Sequence, residues 1–136
     1  MGAAADLVRR HAELYNDGSP DDYGSDDYLQ LYAEDVDWAE APTAFTPQGR
    51  SGDIVALREA TAFGRSMLRD RRVAIDEILE DGNRAVWIGT WSATVGVDGL
   101  PLPIGTRLRV PMAMLIEVRE GLIVRQRDFV TSSVGG

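Results

Sequence analysis

The 136-residue chain has no cysteine, no lysine and a single histidine. Without thiols it forms no disulfide framework, zinc–thiolate site or cysteine nucleophile, although this absence says nothing about its redox compartment. All 14 basic side chains are arginines, set against 22 acids, for a net charge of −8. No basic stripe is present for a phosphate backbone to follow, so no nucleic-acid partner is expected, and an acidic surface repels anionic lipid as well. A small neutral or apolar molecule suits this field better. The longest apolar run, Val110 to Ile116, is far too short to cross a bilayer. The opening Met1-Gly2-Ala3-Ala4-Ala5-Asp6 lacks a basic n-region and a long apolar segment, and Asp6 stands where a myristoylation signal needs Ser or Thr. A soluble cytoplasmic protein with no membrane partner is the expectation. P-loop, G-x-G-x-x-G, G-x-S-x-G and H-E-x-x-H patterns are also missing, so neither a nucleotide cofactor nor a metal is expected.

What is present is the composition of one compact domain over residues 1–136, with 44% hydrophobic and 26% charged residues. Ala4, Leu7, Val8, His11, Leu14 and Tyr15 recur at helical spacing and predict a first helix with one apolar face. Asp17 to Asp27 is dense in aspartate and turn formers and reads as a solvated loop, because its spacing does not match a calcium-binding EF-hand. A short helix over roughly Asp27 to Tyr32 precedes a strand from Val36 to Ala41. A third helix is expected to start at Arg50-Ser51-Gly52-Asp53 and run to about Arg69. The period then changes from helical to alternating, predicting strands at Arg72 to Leu79, Ala85 to Val95, Leu108 to Val118 and Leu122 to Val130. This is an α+β layout: a curved, conical antiparallel sheet covered by three helices from the N-terminal half and enclosing a pocket.

In the last strand Leu122, Val124, Gln126, Asp128 and Val130 share a face by alternation, and Asp128 is the odd member. A carboxyl group on an apolar stripe is pushed towards neutral-pH proton exchange, unless it is solvated at the strand end or paired with an arginine. His11 falls on the apolar helix face, as a hydrogen-bonded core residue or as part of a site. Glu40 shares a strand face with Val36 and Trp38, so it is either an inward acid or a solvated strand end. Tyr15, Trp38, Trp87, Trp91, Met112 and Met114 are the candidate substrate-binding wall, a stripe that also suits simple core packing.

Leu31-Tyr32-Ala33-Glu34-Asp35-Val36, and Arg50-Ser51-Gly52 followed by Leu57-Arg58-Glu59, resemble strings of the nuclear transport factor 2-like superfamily. The likeness is to its ketosteroid isomerase and SnoaL-type polyketide cyclase branches, and it spans nearly the whole chain. It implies a conical cystatin-like roll, often homodimeric. Carried over by residue, it puts Glu40 at the isomerases' proton-shuttling carboxylate and His11 at their oxyanion-binding tyrosine. Met112-Ala113-Met114 stands where their second oxyanion donor, an aspartate, is found. Asp128 resembles the acid/base aspartate of the cyclases. The reading is a cofactor-free enzyme doing aldol-type cyclisation or double-bond isomerisation on a neutral, apolar polyketide- or steroid-like molecule, with Asp128, Glu40 and His11 as catalytic residues. Epoxide opening uses the same apparatus. A non-catalytic ligand-binding or dimerisation module, pairing through the apolar face of Leu108 to Val118, is the rival.

Overall fold

The computed structural model describes residues 2–16, 26–43 and 45–130. The expected acidic loop therefore lies, over residues 17–25, outside the described residues. Helix α1 (Ala3–Asn16) turns Ala4, Val8, His11 and Leu14 inward, as its apolar spacing predicts. Both its ends are tied to one strand, β3 (Leu68–Asp81). The Glu80 carboxylate accepts from the backbone N–H of Gly2 at 2.8 Å and Ala5 at 2.9 Å, occupying donors that a helix N-terminus leaves unpaired. At the other end the Asn16 amide donates to Val73 O at 2.7 Å and accepts from Val73 N at 2.8 Å. These two clasps fix where His11 sits over the sheet.

Helix α2 (Asp26–Leu29) is shorter than its expected span, because Tyr32 already opens strand β1 (Tyr32–Glu40). Arg50-Ser51-Gly52 is not a helix start. It forms a short strand β2 (Arg50–Gly52) against β1, and Asp53 is the residue that caps α3 (Ile54–Met67), accepting from Val55 N at 2.9 Å. Strands β4 (Arg84–Val95), β5 (Arg107–Arg119) and β6 (Leu122–Val130) complete a six-stranded sheet in the order β2-β1-β6-β5-β4-β3. Every joint is antiparallel except β1 with β6, which run parallel. The two-residue turn Glu120-Gly121 between β5 and β6 holds both residues at positive φ, 53° and 79°, as a tight hairpin requires.

Leu108, Val110, Met114, Ile116 and Val118 of β5 are all buried, and most join Val8, Leu14 and Leu57 of the helices in one core. That face is spent inside the molecule and is not available to a second copy. In β6 an irregularity beside Glu117 and Val118 shifts the alternation. Ile123 is therefore buried and Leu122 exposed, against the expected grouping of Leu122 and Val124 with Gln126 and Asp128. Beyond the bulge Gln126 and Asp128 do point inward.

Strand β3 carries a second irregularity, between Ile75 and Glu77, opposite Gly89 of β4. A Cβ built on Gly89 would collide with the Ala74 carbonyl oxygen. Gly89→Ala must separate the two strands at this irregularity. We expect a loss of about 3 kcal/mol, read as a lower urea midpoint at unchanged slope.

Candidate active site

One row of paired residues crosses the whole sheet: Arg50 on β2, Glu40 on β1, Asp128 on β6, Met114 on β5, Trp87 on β4 and Ile78 on β3. Residues paired in register share a face, so the sheet itself sets an arginine, two acids and an apolar wall side by side. Asp128 is only 7% exposed. It is neither solvated nor paired with an arginine: no ion pair reaches it among the described residues. The β6 arginine nearest in sequence, Arg127, instead holds Asp37 of β1 at 2.9 Å.

The Asp128 carboxyl accepts from Trp38 Nε1 at 2.9 Å and from the Gln126 amide at 3.0 and 3.2 Å. Burial pushes it up to about 7; the Trp38 hydrogen bond opposes this, the Glu40 charge adds to it, and Gln126 and Arg50 pull it back. Such a group exchanges protons near neutral pH. Glu40 is held differently. Arg50 Nη2 lies 3.0 Å from each of its oxygens, Arg50 Nε is 3.2 Å from Oε1, and the Thr46 hydroxyl donates to Oε1 at 3.2 Å. The Arg50 guanidinium also stacks 5.6 Å from the Trp38 ring centroid and 5.8 Å from that of Phe63.

From Asp128 a chain of polar side chains runs to α1. The Gln126 carbonyl accepts from the Tyr32 hydroxyl at 2.7 Å, the Tyr32 and Tyr28 oxygens are 3.2 Å apart, and Tyr28 lies 2.8 Å from His11 Nε2. Burial lowers His11 to about 4, so its ring is neutral at physiological pH. Trp91 Nε1 donates to the Tyr15 hydroxyl at 2.7 Å, and burial raises Tyr15 to about 12, so that it keeps its proton.

These groups surround a cavity of about 130 Å³. An enclosed apolar cavity of about 150 Å³ holds benzene, so this one accommodates a single ring, and a larger ligand must extend through the mouth. His11, Tyr15, Glu40, Trp87, Trp91, Met112, Met114 and Asp128 all line it, as the sequence suggested. Trp38 does not. Its indole stands behind Asp128 and faces a separate groove that shares Arg50 and Phe63 with the cavity. The sequence reading missed Arg50, Tyr28 and Tyr32, and gave Gln126 no role. The i, i+2 spacing of Gln126 and Asp128 on one strand face was the available signal. The described residues contain no cluster of three metal-ligating side chains.

A family model for a SnoaL-like domain matches residues 8–126. The chain belongs to the SnoaL-like domain family. The match stops short of Asp128, so that residue's place in the site rests on this structure. None of the curated proteins compared matches this SnoaL-like domain. Among solved structures, IdmH of Streptomyces antibioticus, a proposed polyketide cyclase, is 18% identical with a TM-score of 0.76, covering 97% of this chain and 96% of its own. A proposed polyketide cyclase of Pseudomonas putida is 20% identical, TM-score 0.74, over 96% and 92%. A Catenulispora acidiphila protein with a ketosteroid isomerase-like fold, bound to trimethylamine, is 19% identical, TM-score 0.67, over 90% and 83%. At these identities the likeness shows the shared nuclear transport factor 2-like fold. Among the described residues no helix of the SnoaL-like domain is long and apolar enough to cross a membrane.

Proposed function

We propose that this SnoaL-like domain is an enzyme of the cyclase or isomerase type, acting by general acid–base catalysis on a neutral, largely apolar ring compound that carries a carbonyl. The observation that carries this reading is Asp128: a buried acid on the cavity wall, held by two donors, with its ionisation moved to about 7. An acid/base of that strength works best near neutral pH. In this mechanism the Asp128 carboxylate takes a proton from the carbon beside the carbonyl. The Tyr15 hydroxyl donates a hydrogen bond to the oxygen that gains charge. The enolate then either recovers the proton at another carbon, a double-bond shift, or attacks a second carbonyl, closing a ring as the new alkoxide takes back the proton that Asp128 removed. Glu40 acts through its charge, which raises Asp128, while Arg50 clamps it in place. The polyketide cyclase neighbours are consistent with this class of substrate.

The test is a thermal-shift screen of ring ketones, followed by turnover assays on those that raise the melting temperature. Arg50→Gln supplies a sharper check. Removing the guanidinium leaves the Glu40 charge uncompensated beside Asp128, so the midpoint of the pH–rate profile is expected to move up. An unchanged midpoint would show that the Arg50–Glu40 pair does not tune the acid.

A further inference from the structure

The helices share one core with Trp87, Met114 and Ile116 on the inner side of the sheet, so the residues between these positions point outward. At one end of that outer face two rows cross the sheet in register: Arg72, Ser92 and Arg109, then Arg69, Thr94 and Arg107. All four arginines are exposed. The rows lie about 7 Å apart, and the two arginines of each row about 10 Å. Arg107 reaches across β4, donating to Thr94 Oγ1 at 3.1 Å, Ser92 Oγ at 3.3 Å and Asp70 O at 3.4 Å. Among the described residues no ion pair reaches any of the four, not even from Asp70 in the β3 irregularity between Arg69 and Arg72. Yet acids outnumber arginines 22 to 14 in this chain. The four come from strands far apart in sequence, so no basic run announces them.

Beside this basic field the outer face turns apolar. Pro111 is exposed, and Ile88 and Phe129, which share a row with Ala113, are 44% and 52% exposed. An apolar sheet face is ordinarily covered by another layer, and a helix suits a face as an added strand suits an edge. We propose that this face docks an acidic amphipathic helix of another protein, its apolar stripe on Ile88 and Phe129 and its carboxylates on the four arginines. Guanidinium forks match carboxylates in two-point contact. The patch runs about 27 Å from Arg107 to Leu115 and about 14 Å from β3 to β6, room for one helix about 10 Å across. A contact of that size is a transient one. Charge favours such a partner over a second copy. The far end of the face alternates Asp37, Arg125, Glu117, Arg84 and Asp81 in one row, and Arg127 already holds Asp37 at 2.9 Å. A second copy would therefore set arginines against arginines or, turned end for end, against that balanced row. The cavity takes no part, so docking stands or falls apart from catalysis.

The probe is a synthetic helical peptide with glutamates on one face and leucines on the other, labelled with a fluorophore; a matched peptide carries glutamines instead of glutamates. The whole chain carries −8, so an acidic peptide binds only where that field is locally reversed. Fluorescence anisotropy with the full chain is expected to show a Kd of about 1 to 100 μM for the acidic peptide, weakening as salt is raised. The glutamine peptide is expected to bind at least about tenfold more weakly. The double variant Arg72→Gln/Arg109→Gln is expected to weaken binding of the acidic peptide about tenfold at an unchanged melting temperature. Should it fail to fold, the two peptides on the unaltered chain still decide. Ile88→Ser is expected to weaken binding without altering its salt dependence. No binding, equal affinity for the two peptides, or a folded double variant that binds like the parent overturns the proposal. So does a single-stranded DNA oligonucleotide bound as tightly as the acidic peptide, which would mark a plain polyanion site. Sedimentation velocity reads the remaining occupant: a dimer that Ile88→Ser or the double variant dissociates means that the face pairs with itself, and overturns the proposal as well.

Discussion

Asp128→Asn is expected to lower turnover of any substrate found by about a hundred- to ten-thousandfold, the usual contribution of a positioned general acid or base. The amide matches the carboxyl in shape and keeps an oxygen for Trp38 or Gln126, so KM should change little while kcat falls. In the parent enzyme kcat/KM should rise with pH through about 7, as the buried carboxyl loses its proton. That limb should vanish in the variant. A variant retaining near-parental turnover, or a parent profile flat across this range, would remove Asp128 from the chemistry.

The second large effect is on stability, and here Asp128 and His11 act in opposite directions. The Asp128 carboxyl titrates at 3.8 unperturbed and at about 7 in the fold. Between these values the folded state holds the proton that the unfolded state has released, so raising the pH drives unfolding, and the loss is complete above the folded midpoint. The shift is worth about 4 kcal/mol. Asp128→Asn has no such group. Its stability relative to the parent should therefore grow by about that amount between about pH 4 and pH 8. His11 falls from 6.5 to about 4 on burial. Here the unfolded state takes up the proton first, so stability is lost as the pH falls through this window, by about 3 kcal/mol. His11→Phe should lack that loss. Urea titrations of the three proteins across the range measure both slopes; parallel curves would mean that neither side chain is buried as described.

Much of this was legible from alternation alone. The one-sided β5, the inward pair Gln126 and Asp128, and the inward His11 on α1 all follow from local period, because burial of one face imposes it. Local signals failed where pairing took over. Arg50-Ser51-Gly52-Asp53 offers two capping residues, Ser51 and Asp53, yet the backbone of its first three residues is drawn into the sheet by β1, and it is Asp53 that caps α3. The face assigned to Leu122 and Val124 was wrong because a bulge, invisible to strict alternation, leaves Val124 as an extra residue between the paired Ile123 and Arg125.

The amino-acid order by itself determined an acidic chain without thiols, the order of the three helices and the five longer strands, and an inward acid on the last strand. These are properties of composition and of residues a few positions apart. Only the tertiary structure decided that β1 lies parallel to β6, with Glu40 paired in register to Asp128 and Trp38 to Gln126. That joint brings together residues 88 positions apart, since 128 minus 40 is 88. No local period encodes it, because it arises from closing one sheet around one core. The arginine clasp, the raised acid and the polar line to His11 all follow from that closure.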